Sequence, residues 1–397
     1  MTIAAALARR LEGLVPIGLG PQGTTRLAWT PELAQAEAWF AAQAADVGLE
    51  VQRDPAGSLW ACPPPPAPWW GVGSHLDSVR DGGRHDGALG VAAGFEIAAR
   101  SEGLPLAVLA FTDEEGARFN TPTFGSRALV GRLDVADALA RTDDEGVTLA
   151  DAMAGAGVDP GGLAGAPAWL DRLRGFVELH IDQTRDLEVA GAPVGVVRAL
   201  ASRRRLRIDV EGHADHAGTT RGADRHDALA AAARVIVAAG ELAAGELEMV
   251  ATASRIVVEP NAFTTVPRHV RLWLDARAPS GDALDAWRRA LDAHAAEVAA
   301  AGGVQVAILV EAGSAGVVFD GAVRDALAVA ALRAGAGVAD LLCYAGHDAG
   351  VIGERLPAGM LFVRNPTGVS HAPQEEVAVE DAAIGVQVMV DALRTLA

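Results

Sequence analysis

The sequence is poor in cysteine and in positive charge. Its 397 residues include two cysteines, Cys62 and Cys343, so neither a disulfide framework nor a cysteine-rich zinc site is expected. Acidic residues outnumber basic ones by 51 to 33, and the formal net charge is −18. This balance excludes the basic surface of a nucleic-acid-binding protein. Any metal site must therefore use histidine, aspartate and glutamate side chains.

Long apolar runs are also missing. No stretch approaches the about 18 uninterrupted apolar residues of a membrane-spanning helix. At the N-terminus the apolar residues precede Arg9 and Arg10, the reverse of the order in a secretory signal peptide. We therefore expect a cytoplasmic protein that binds no membrane. Its composition, 50% apolar and 21% charged, is typical of a globular chain long enough for more than one domain.

Short apolar runs alternate with amphipathic segments along the first 200 residues. The runs Trp69–Ser74, Leu106–Thr112 and Phe176–Ile181 each end in polar residues and predict buried strands, while Leu89–Arg100 has helical periodicity. The proline run at 63–66 predicts a loop. Strands that alternate with helices predict an α/β fold with a mostly parallel sheet covered on both faces.

The pattern changes between residues 204 and 317. Leu206, Ile208 and Val210 alternate with charged residues, as in a half-exposed strand. Further strands are predicted at 250–258, 268–277 and 304–310, and helices at about 224–239 and 282–300. We therefore predict an α+β insert with an open antiparallel sheet at 204–317. It interrupts a catalytic domain formed by residues 1–203 and 318–397.

Four segments concentrate the ionisable residues, and each follows a predicted buried strand. They are residues 73–90, 111–119, 178–182 and 368–375. A single histidine or a Glu-Glu pair is more often structural than catalytic, but the coincidence of four such segments favours a common site. In open α/β sheets, sites form outside the carboxyl ends of the strands, so we expect the four segments to converge on one cleft.

The residue types in these segments suit a metal-dependent hydrolase. The candidate ligands are His75, Asp86, Glu115, His180 and His371. Imidazole and carboxylate suit zinc, manganese or cobalt, and a carboxylate shared by two ions recurs in hydrolases. Asp77, two residues after His75, is predicted to orient that imidazole. Glu114 is then the candidate general base, because it is not needed as a ligand.

Six motifs occur in order along the chain. They begin with Gly-Ser-His-Leu-Asp-Ser-Val at residue 73, within a pattern that continues to 91. Glu-Glu-Gly-Ala-Arg-Phe (114–119), Glu-Leu-His-Ile (178–181), His-Ala-Gly-Thr-Thr (216–220), Gly-His-Asp-Ala (346–349) and Gly-Val-Ser-His-Ala-Pro (368–373) follow. Together they resemble the N-carbamoyl-L-amino acid hydrolase and allantoate amidohydrolase branch of the di-metal amidohydrolases related to aminoacylase and carboxypeptidase G. The resemblance extends over nearly the whole chain.

The resemblance implies two divalent cations per chain, Zn²⁺ or Mn²⁺, with Co²⁺ or Ni²⁺ as alternatives. One ion would bind to His75, Asp86 and His180, and the other to Asp86, Glu115 and His371, so that Asp86 bridges them. Glu114 would be the base. Two divalent ions outweigh the charge of the three carboxylates, so a substrate that carries a carboxylate is expected.

The resemblance also implies roles for the insert, which would be a lid and the interface of a homodimer. His216 would polarise the scissile carbonyl in the closed dimer, and Arg277 would bind the substrate carboxylate. Gln183 matches a glutamine of the family. His347 and Asp348 are expected to organise a turn near the cleft rather than to bind metal.

Several substrate positions depart from the family pattern. Thr264 replaces an asparagine that contacts the substrate amide, Asp182-Gln183-Thr184 replaces Glu-Gln-Gly, Arg221 replaces a proline, and Cys343-Tyr344 replaces Ser-Gly. The metal and base positions match the family pattern, so the resemblance predicts the reaction class more directly than it predicts the substrate. We expect hydrolysis of a linear C–N amide, in an N-carbamoyl amino acid or allantoate, with release of ammonia and carbon dioxide. The alternatives are an N-acyl amino acid amidase, a dipeptidase or aminopeptidase, and a non-catalytic relative.

Overall fold

The computed structural model describes residues 1–64, 68–245, 248–336 and 339–397. The strands are β1 (Glu50–Arg53), β2 (Leu59–Cys62), β3 (Trp69–His75), β4 (Leu106–Phe111), β5 (Leu173–Ile181), β6 (Val194–Leu200), β7 (Ser202–Glu211), β8 (Asp215–His216), β9 (Val250–Glu259), β10 (Thr265–Val266), β11 (His269–Ala278), β12 (Gln305–Ser314), β13 (Val317–Val318), β14 (Ala339–Cys343) and β15 (Ala358–Val363). The predicted proline loop at 63–66 falls partly outside the described residues.

Helices form in each of the three regions predicted from the apolar periodicity and also outside those regions. They are α1 (Ile3–Leu14), α2 (Pro31–Asp46), α3 (Ala88–Arg100), α4 (Phe124–Leu129), α5 (Val135–Ala140), α6 (Leu149–Gly155), α7 (Asp186–Ala190), α8 (Ala228–Ala244), α9 (Gly281–Gly302), α10 (Gly321–Arg333), α11 (Asp348–Ile352) and α12 (Val379–Leu396), with 3₁₀ helices at Pro160–Arg172 and Gly222–Asp224. Among the helices of the described chain, none is long and apolar enough to cross a membrane.

The chain forms two compact units. Unit 1 contains residues 1–198, 318–341 and 346–397, and unit 2 contains residues 199–317 and 342–345. The sequence places the insert at 204–317, so unit 2 begins five residues earlier than predicted and also includes the segment 342–345. This segment is tied to β11, because the carbonyl oxygen of Tyr344 accepts a hydrogen bond of 2.6 Å from Nη1 of Arg277.

The central sheet carries the core of unit 1. In the described part of the chain its strand order is β1-β2-β4-β3-β5-β15-β6-β13, with β14 also paired to β6. The four strands β4, β3, β5 and β15 run parallel to their neighbours within this group. Their carboxyl ends therefore lie at the same edge of the sheet. The predicted mostly parallel α/β fold is confirmed.

Helices cover both faces of this sheet. On β5, Val177, Leu179 and Ile181 join the apolar cluster that also contains residues of α1, α3 and α12. The intervening His180 contacts His347, next to the start of α11, with ring centroids 4.5 Å apart. Because successive side chains of a strand point to opposite faces, α3 and α11 lie on opposite sides of the sheet.

Unit 2 contains a four-stranded antiparallel sheet with the order β12-β7-β11-β9. Leu206, Ile208 and Val210 are buried with residues of α8 and α9, as their alternation predicts. On β11 the even-numbered residues are buried and the odd-numbered ones are partly exposed. One face of the sheet thus packs on helices while the other displays charged side chains, which confirms the predicted open antiparallel sheet.

Candidate metal centre

The parallel strands bring the predicted ligands of unit 1 to one edge of the sheet. His75 is the last residue of β3 and pairs with Phe111, the last residue of β4. His180 is the penultimate residue of β5, and Glu114 follows the end of β4 by three residues. The expected convergence of the strand ends is therefore observed, since parallel neighbours end together.

The first group of candidate ligands consists of His75, Asp86 and His180, with Asp86 at its centre. Its Oδ1 atom is 3.5 Å from Nε2 of His75 and 3.0 Å from Nε2 of His180. One ligand atom from each of these three residues lies within 4.8 Å of the others. All three side chains are buried, so the group forms a compact, water-poor set of two imidazoles and one carboxylate.

The second group uses the other oxygen of the same carboxylate. Nε2 of His371 lies 3.4 Å from Oδ2 of Asp86 and 3.5 Å from Oε2 of Glu115. These three residues also satisfy the geometry of a candidate metal site. The two groups share Asp86, which is the arrangement that a carboxylate bridging two cations requires.

The orientation of both buried imidazoles is set by backbone carbonyl groups. Nδ1 of His75 contacts the carbonyl oxygen of Asp77 at 3.0 Å, and Nδ1 of His180 contacts that of Ile181 at 2.9 Å. A neutral imidazole that donates from Nδ1 keeps a lone pair on Nε2. Both Nε2 atoms therefore face Asp86 as free ligands.

Asp77 contacts the imidazole of His75 through its backbone carbonyl group. Its carboxylate is 3.8 Å from Nδ1 of His75, so the short contact to this imidazole comes from its carbonyl oxygen instead. Oδ1 and Oδ2 accept hydrogen bonds from the backbone N–H groups of Glu114 and Glu115, at 3.2 and 3.0 Å. Asp77 thus connects the end of β3 to the turn after β4.

The donor atoms suit divalent cations. Among the described residues, Oδ2 of Asp86, Oε1 of Glu115 and Nε2 of His180 are buried without a hydrogen-bond partner. Nε2 of His180 lies 3.0 Å from Oδ1 of Asp86, a proximity that two ligands facing a common ion would have. Buried imidazole and carboxylate groups left unpaired in this way fit divalent cations.

The pKa shifts of the buried carboxylates also favour a cation-binding site. Burial opposes ionisation of Asp86, but its contacts with His180, His371 and His75 outweigh this and hold its pKa well below the ordinary value. Burial and the neighbouring carboxylates raise the pKa of Glu114 well above normal and that of Glu115 to about 7. Bound cations would relieve this repulsion between buried carboxylates.

Three further ionisable residues approach the site, although the sequence analysis does not include them among the metal ligands. Nδ1 and Nε2 of the buried His347 lack hydrogen-bond partners within the described chain. Asp348 accepts a hydrogen bond of 2.5 Å from Ser126, and Glu178 accepts one of 2.6 Å from Ser74. His347 also forms a third candidate group with Glu178 and His180. The Gly-His-Asp-Ala motif at 346–349 was the sequence signal for this part of the site.

Gln183 lies on the segment that follows β5. Its Oε1 atom is buried and has no hydrogen-bond partner among the described residues, which leaves a polar group available to a ligand. The departure Asp182–Thr184 has a local explanation, because Oγ1 of Thr184 donates a hydrogen bond of 2.8 Å to Asp182. Asp182 also accepts from the backbone N–H of Leu187, at 3.3 Å, and so orders this turn.

Within unit 2, His216 and Thr264 are neighbours. The backbone N–H of Ala217 donates to the carbonyl oxygen of Thr264 at 2.9 Å. Nδ1 of His216 accepts hydrogen bonds from the N–H groups of Gly218 and Thr219, both at 3.1 Å. An imidazole that accepts at Nδ1 carries its proton on Nε2, so the exposed His216 presents an N–H donor to solvent.

Arg277 lies on the open face of the unit 2 sheet, as the alternation along β11 predicts. Its Nε atom donates to Oδ1 of Asp275 at 2.8 Å, and its Nη1 atom donates to the carbonyl oxygen of Tyr344 at 2.6 Å. These contacts hold the guanidinium in one orientation and leave its other N–H groups for an anion.

Comparisons with known proteins agree with the motifs. An N-carbamoyl-L-amino acid amidohydrolase of Geobacillus stearothermophilus is 37% identical, over 96% of this chain and 95% of the relative. An allantoate amidohydrolase of Bacillus subtilis is 32% identical over 100% of this chain and 98% of the relative. A hydantoinase/carbamoylase family amidase of Burkholderia ambifaria, 33% identical, superposes with a TM-score of 0.89 over 99% of this chain and 97% of that one.

These similarities confirm the resemblance inferred from the sequence. They also confirm the expected class of enzyme, a hydrolase of linear C–N amide bonds. The model of Peptidase family M20/M25/M40 matches residues 69–395. The chain belongs to Peptidase family M20/M25/M40.

Proposed function

We propose that the protein is a di-metal amidohydrolase that removes the carbamoyl group of an N-carbamoyl amino acid or hydrolyses allantoate. The observation that carries the proposal is the position of Asp86, which offers one oxygen to His75 and His180 and the other to His371. Relatives named for both substrates cover nearly the whole chain, which supports the two substrate classes.

One proposed ion would be held by His75, Asp86 and His180, and the other by Asp86, Glu115 and His371. When bound, divalent cations supply positive charge that activates water and stabilises the carbonyl oxygen. Zn²⁺ and Mn²⁺ are the preferred candidates, with Co²⁺ and Ni²⁺ as alternatives, because the ligands are imidazole nitrogens and carboxylate oxygens.

Glu114 is the proposed general base. Its carboxylate is buried beside the ligands, with Oε2 3.8 Å from Nε2 of His75, while its backbone is held by Asp77. It would take a proton from the attacking water and deliver it to the leaving nitrogen. Cleavage of a ureido group then yields carbamate, which decomposes to ammonia and carbon dioxide.

Residues of unit 2 are proposed to act on the substrate. His216 would donate its Nε2–H to the scissile carbonyl oxygen, a role that matches the tautomer set by Gly218 and Thr219. Arg277 would bind the substrate carboxylate, while Gln183 of unit 1 and Thr264 would contact its polar groups. Thr264 and Tyr344 differ from the family pattern, so an N-acyl amino acid is the second candidate substrate.

The proposed assembly is a homodimer formed through unit 2. The edge strands of its sheet expose apolar side chains, among them Ile256 and Val257 on β9 and Leu309 and Val310 on β12. Such residues are common at protein interfaces. The proposed location is the cytoplasm, a reducing compartment that suits a chain with only two cysteines, far apart in sequence.

The test is a matrix of metals and substrates. Chelator-treated protein is reloaded with Zn²⁺, Mn²⁺, Co²⁺ or Ni²⁺ and assayed on N-carbamoyl amino acids, allantoate, N-acyl amino acids and dipeptides. We expect metal-dependent ammonia release from one of the ureido substrates. Turnover of acyl amino acids or dipeptides alone would assign the enzyme to the alternative activity.

A further inference from the structure

We propose that Glu375 is a positioning residue that locks the loop carrying Asp86 and joins it to the loop carrying His371. In this way it would set the affinity for the cation at the group Asp86–Glu115–His371. The inference rests on the proposed di-metal function, because it concerns the strength of one of the two ion sites. Neither the motifs nor the proposed chemistry assigns a task to this residue.

The contacts of Glu375 are directed at the backbone of the Asp86 loop. Its Oε1 atom accepts hydrogen bonds from the N–H groups of His85 and Asp86, both at 2.9 Å. The residue is 1% exposed, so these bonds form away from water. A buried carboxylate that accepts two N–H groups fixes the local backbone, since leaving those groups unpaired is costly.

The loop is held from two sides. A Cβ atom at Gly83 would lie 2.4 to 2.7 Å from the carboxylate of Glu375, so the backbone passes directly against this side chain. On the other side, a Cβ atom at Gly87 would lie 2.4 Å from the imidazole of His75. Gly87 also has a φ of +66°, which favours glycine. The backbone around Asp86 is therefore packed between the carboxylate of Glu375 and the imidazole of His75.

The two groups of candidate ligands should depend to different degrees on the contacts of Glu375. His75 and His180 lie on strands, and backbone carbonyl groups hold their rings. His371 lies outside the named helices and strands, its side chain is 48% exposed, and its φ is +59°. Glu375 follows it by four residues, and its N–H donates to the carbonyl oxygen of Ala372 at 3.0 Å. The side chain of Glu375 thus binds the Asp86 loop while its backbone belongs to the His371 loop, so one residue connects two of the three segments that supply the second group.

The first experiment measures ion binding rather than turnover. Chelator-treated wild type, Glu375→Ala and Glu375→Gln are titrated with Co²⁺, by calorimetry and by visible absorption, which reports the coordination of each ion. In Glu375→Ala we expect the Co²⁺ affinity of the weaker binding step to fall about 10- to 100-fold and that of the stronger step to fall less. Glu375→Gln should restore most of the affinity, because its amide oxygen can accept the same N–H groups. The exposed neighbour Glu376→Ala is the matched control.

The second experiment uses the contact with Gly83. A methyl group at this position should displace the carboxylate, so Gly83→Ala alone should weaken the same binding step. In a Glu375→Ala background the carboxylate that this methyl group would meet is absent, so Gly83→Ala should have little further effect. This non-additivity is the signature of a direct interaction. A defect of folding alone would instead lower the melting temperature of each variant without separating the two binding steps.

The outcomes separate the inference from the function on which it rests. If wild type binds no divalent cation, the di-metal proposal fails. If wild type binds two ions and Glu375→Ala binds both with unchanged affinity, the positioning role is refuted while the di-metal proposal stands. Equal weakening of both steps, or additive effects of the Gly83 and Glu375 substitutions, also refutes it.

Discussion

Asp77 holds Glu114 by its backbone, since Oδ1 of Asp77 accepts a hydrogen bond of 3.2 Å from the Glu114 N–H. The two residues are 37 positions apart and follow neighbouring parallel strands. The contact fixes the main chain of Glu114 while its carboxylate lies beside the metal ligands. A base that is positioned through its backbone needs no side-chain contact that would compete with proton transfer.

Replacing Glu114 by glutamine should abolish turnover without loss of metal. The amide cannot accept a proton, and removal of a general base typically costs about 10²- to 10⁴-fold in rate. We expect kcat to fall by this amount while elemental analysis shows the wild-type metal content. The exposed Glu102→Gln is the control. Near-normal kcat in the metal-replete Glu114→Gln protein would mean that another residue is the base.

Asp86→Ala should remove both ions, because one carboxylate serves both groups of ligands. His75 and His180 would lose their shared partner, and so would His371. The test is the number of metal ions bound per chain after gel filtration. Asp144→Ala, at a side chain that is 91% exposed, should retain the wild-type content. Two retained ions per chain in Asp86→Ala would rule out the bridging role.

The homodimer proposal predicts complementation between two inactive variants. Glu114→Gln and His216→Ala are each expected to be inactive. If His216 acts on the substrate of the partner subunit, a mixed dimer contains one intact site, and random exchange should restore about a quarter of wild-type activity. Activity after subunit exchange is compared with that of each variant alone. An absence of recovery in verified mixed dimers, or a fully active monomer in light scattering, would contradict the role across the interface.

Arg277→Lys should raise KM for substrates with a carboxylate and leave metal content unchanged. Guanidinium can hold a carboxylate through two parallel hydrogen bonds, whereas ammonium provides a point charge. The penalty should largely disappear for a substrate in which a neutral amide replaces the carboxylate. Arg271→Lys, on the same face of β11, is the matched control. Unchanged KM in Arg277→Lys, or equal turnover of acid and amide by wild type, would refute carboxylate binding.

Glu96→Ala should destabilise unit 1 without touching the metal centre. Oε1 of Glu96 accepts a hydrogen bond of 2.6 Å from Nε of Arg10, and both side chains are at most 3% exposed. Removing Glu96 would leave the buried Arg10 with the half-exposed Asp46, at 3.3 Å, as its anionic partner, and breaking a buried ion pair typically costs about 3–5 kcal/mol. Urea unfolding should show this loss, while Glu102→Ala, at an exposed position, should stay close to wild type. An equal free energy of unfolding for both variants would show that the pair contributes little.

The periodicity of apolar residues was sufficient to predict several of the strands and the longer helices. The alternation of Leu206, Ile208 and Val210 predicted which side of β7 would be buried, because strand side chains alternate between faces. The apolar run at Trp69–Ser74 likewise predicted β3, to within one residue of its end. These are short-range properties, and neighbouring residues determine them.

The candidate ligands were also visible in the sequence, since few residue types bind divalent cations and each of these follows a strand. Which atoms meet was decided by tertiary structure. The carbonyl oxygen of Asp77, rather than its carboxylate, contacts the imidazole of His75 because the carboxylate is engaged by the turn after β4. Contacts of this kind between distant segments cannot be predicted from local sequence, because they depend on the register of two strands.

The sequence by itself determined the fold class, the family and the ligand types, because these depend on periodicity and on ordered motifs. Only the tertiary structure decided that His347 would lie against His180 and that Glu375 would bind the backbone of Asp86. Glu375 is 289 residues from Asp86 along the chain, and no periodic pattern connects them. Their contact exists because the strands end at one edge and the loops that follow pack together, leaving a buried carboxylate and two backbone N–H groups that satisfy each other.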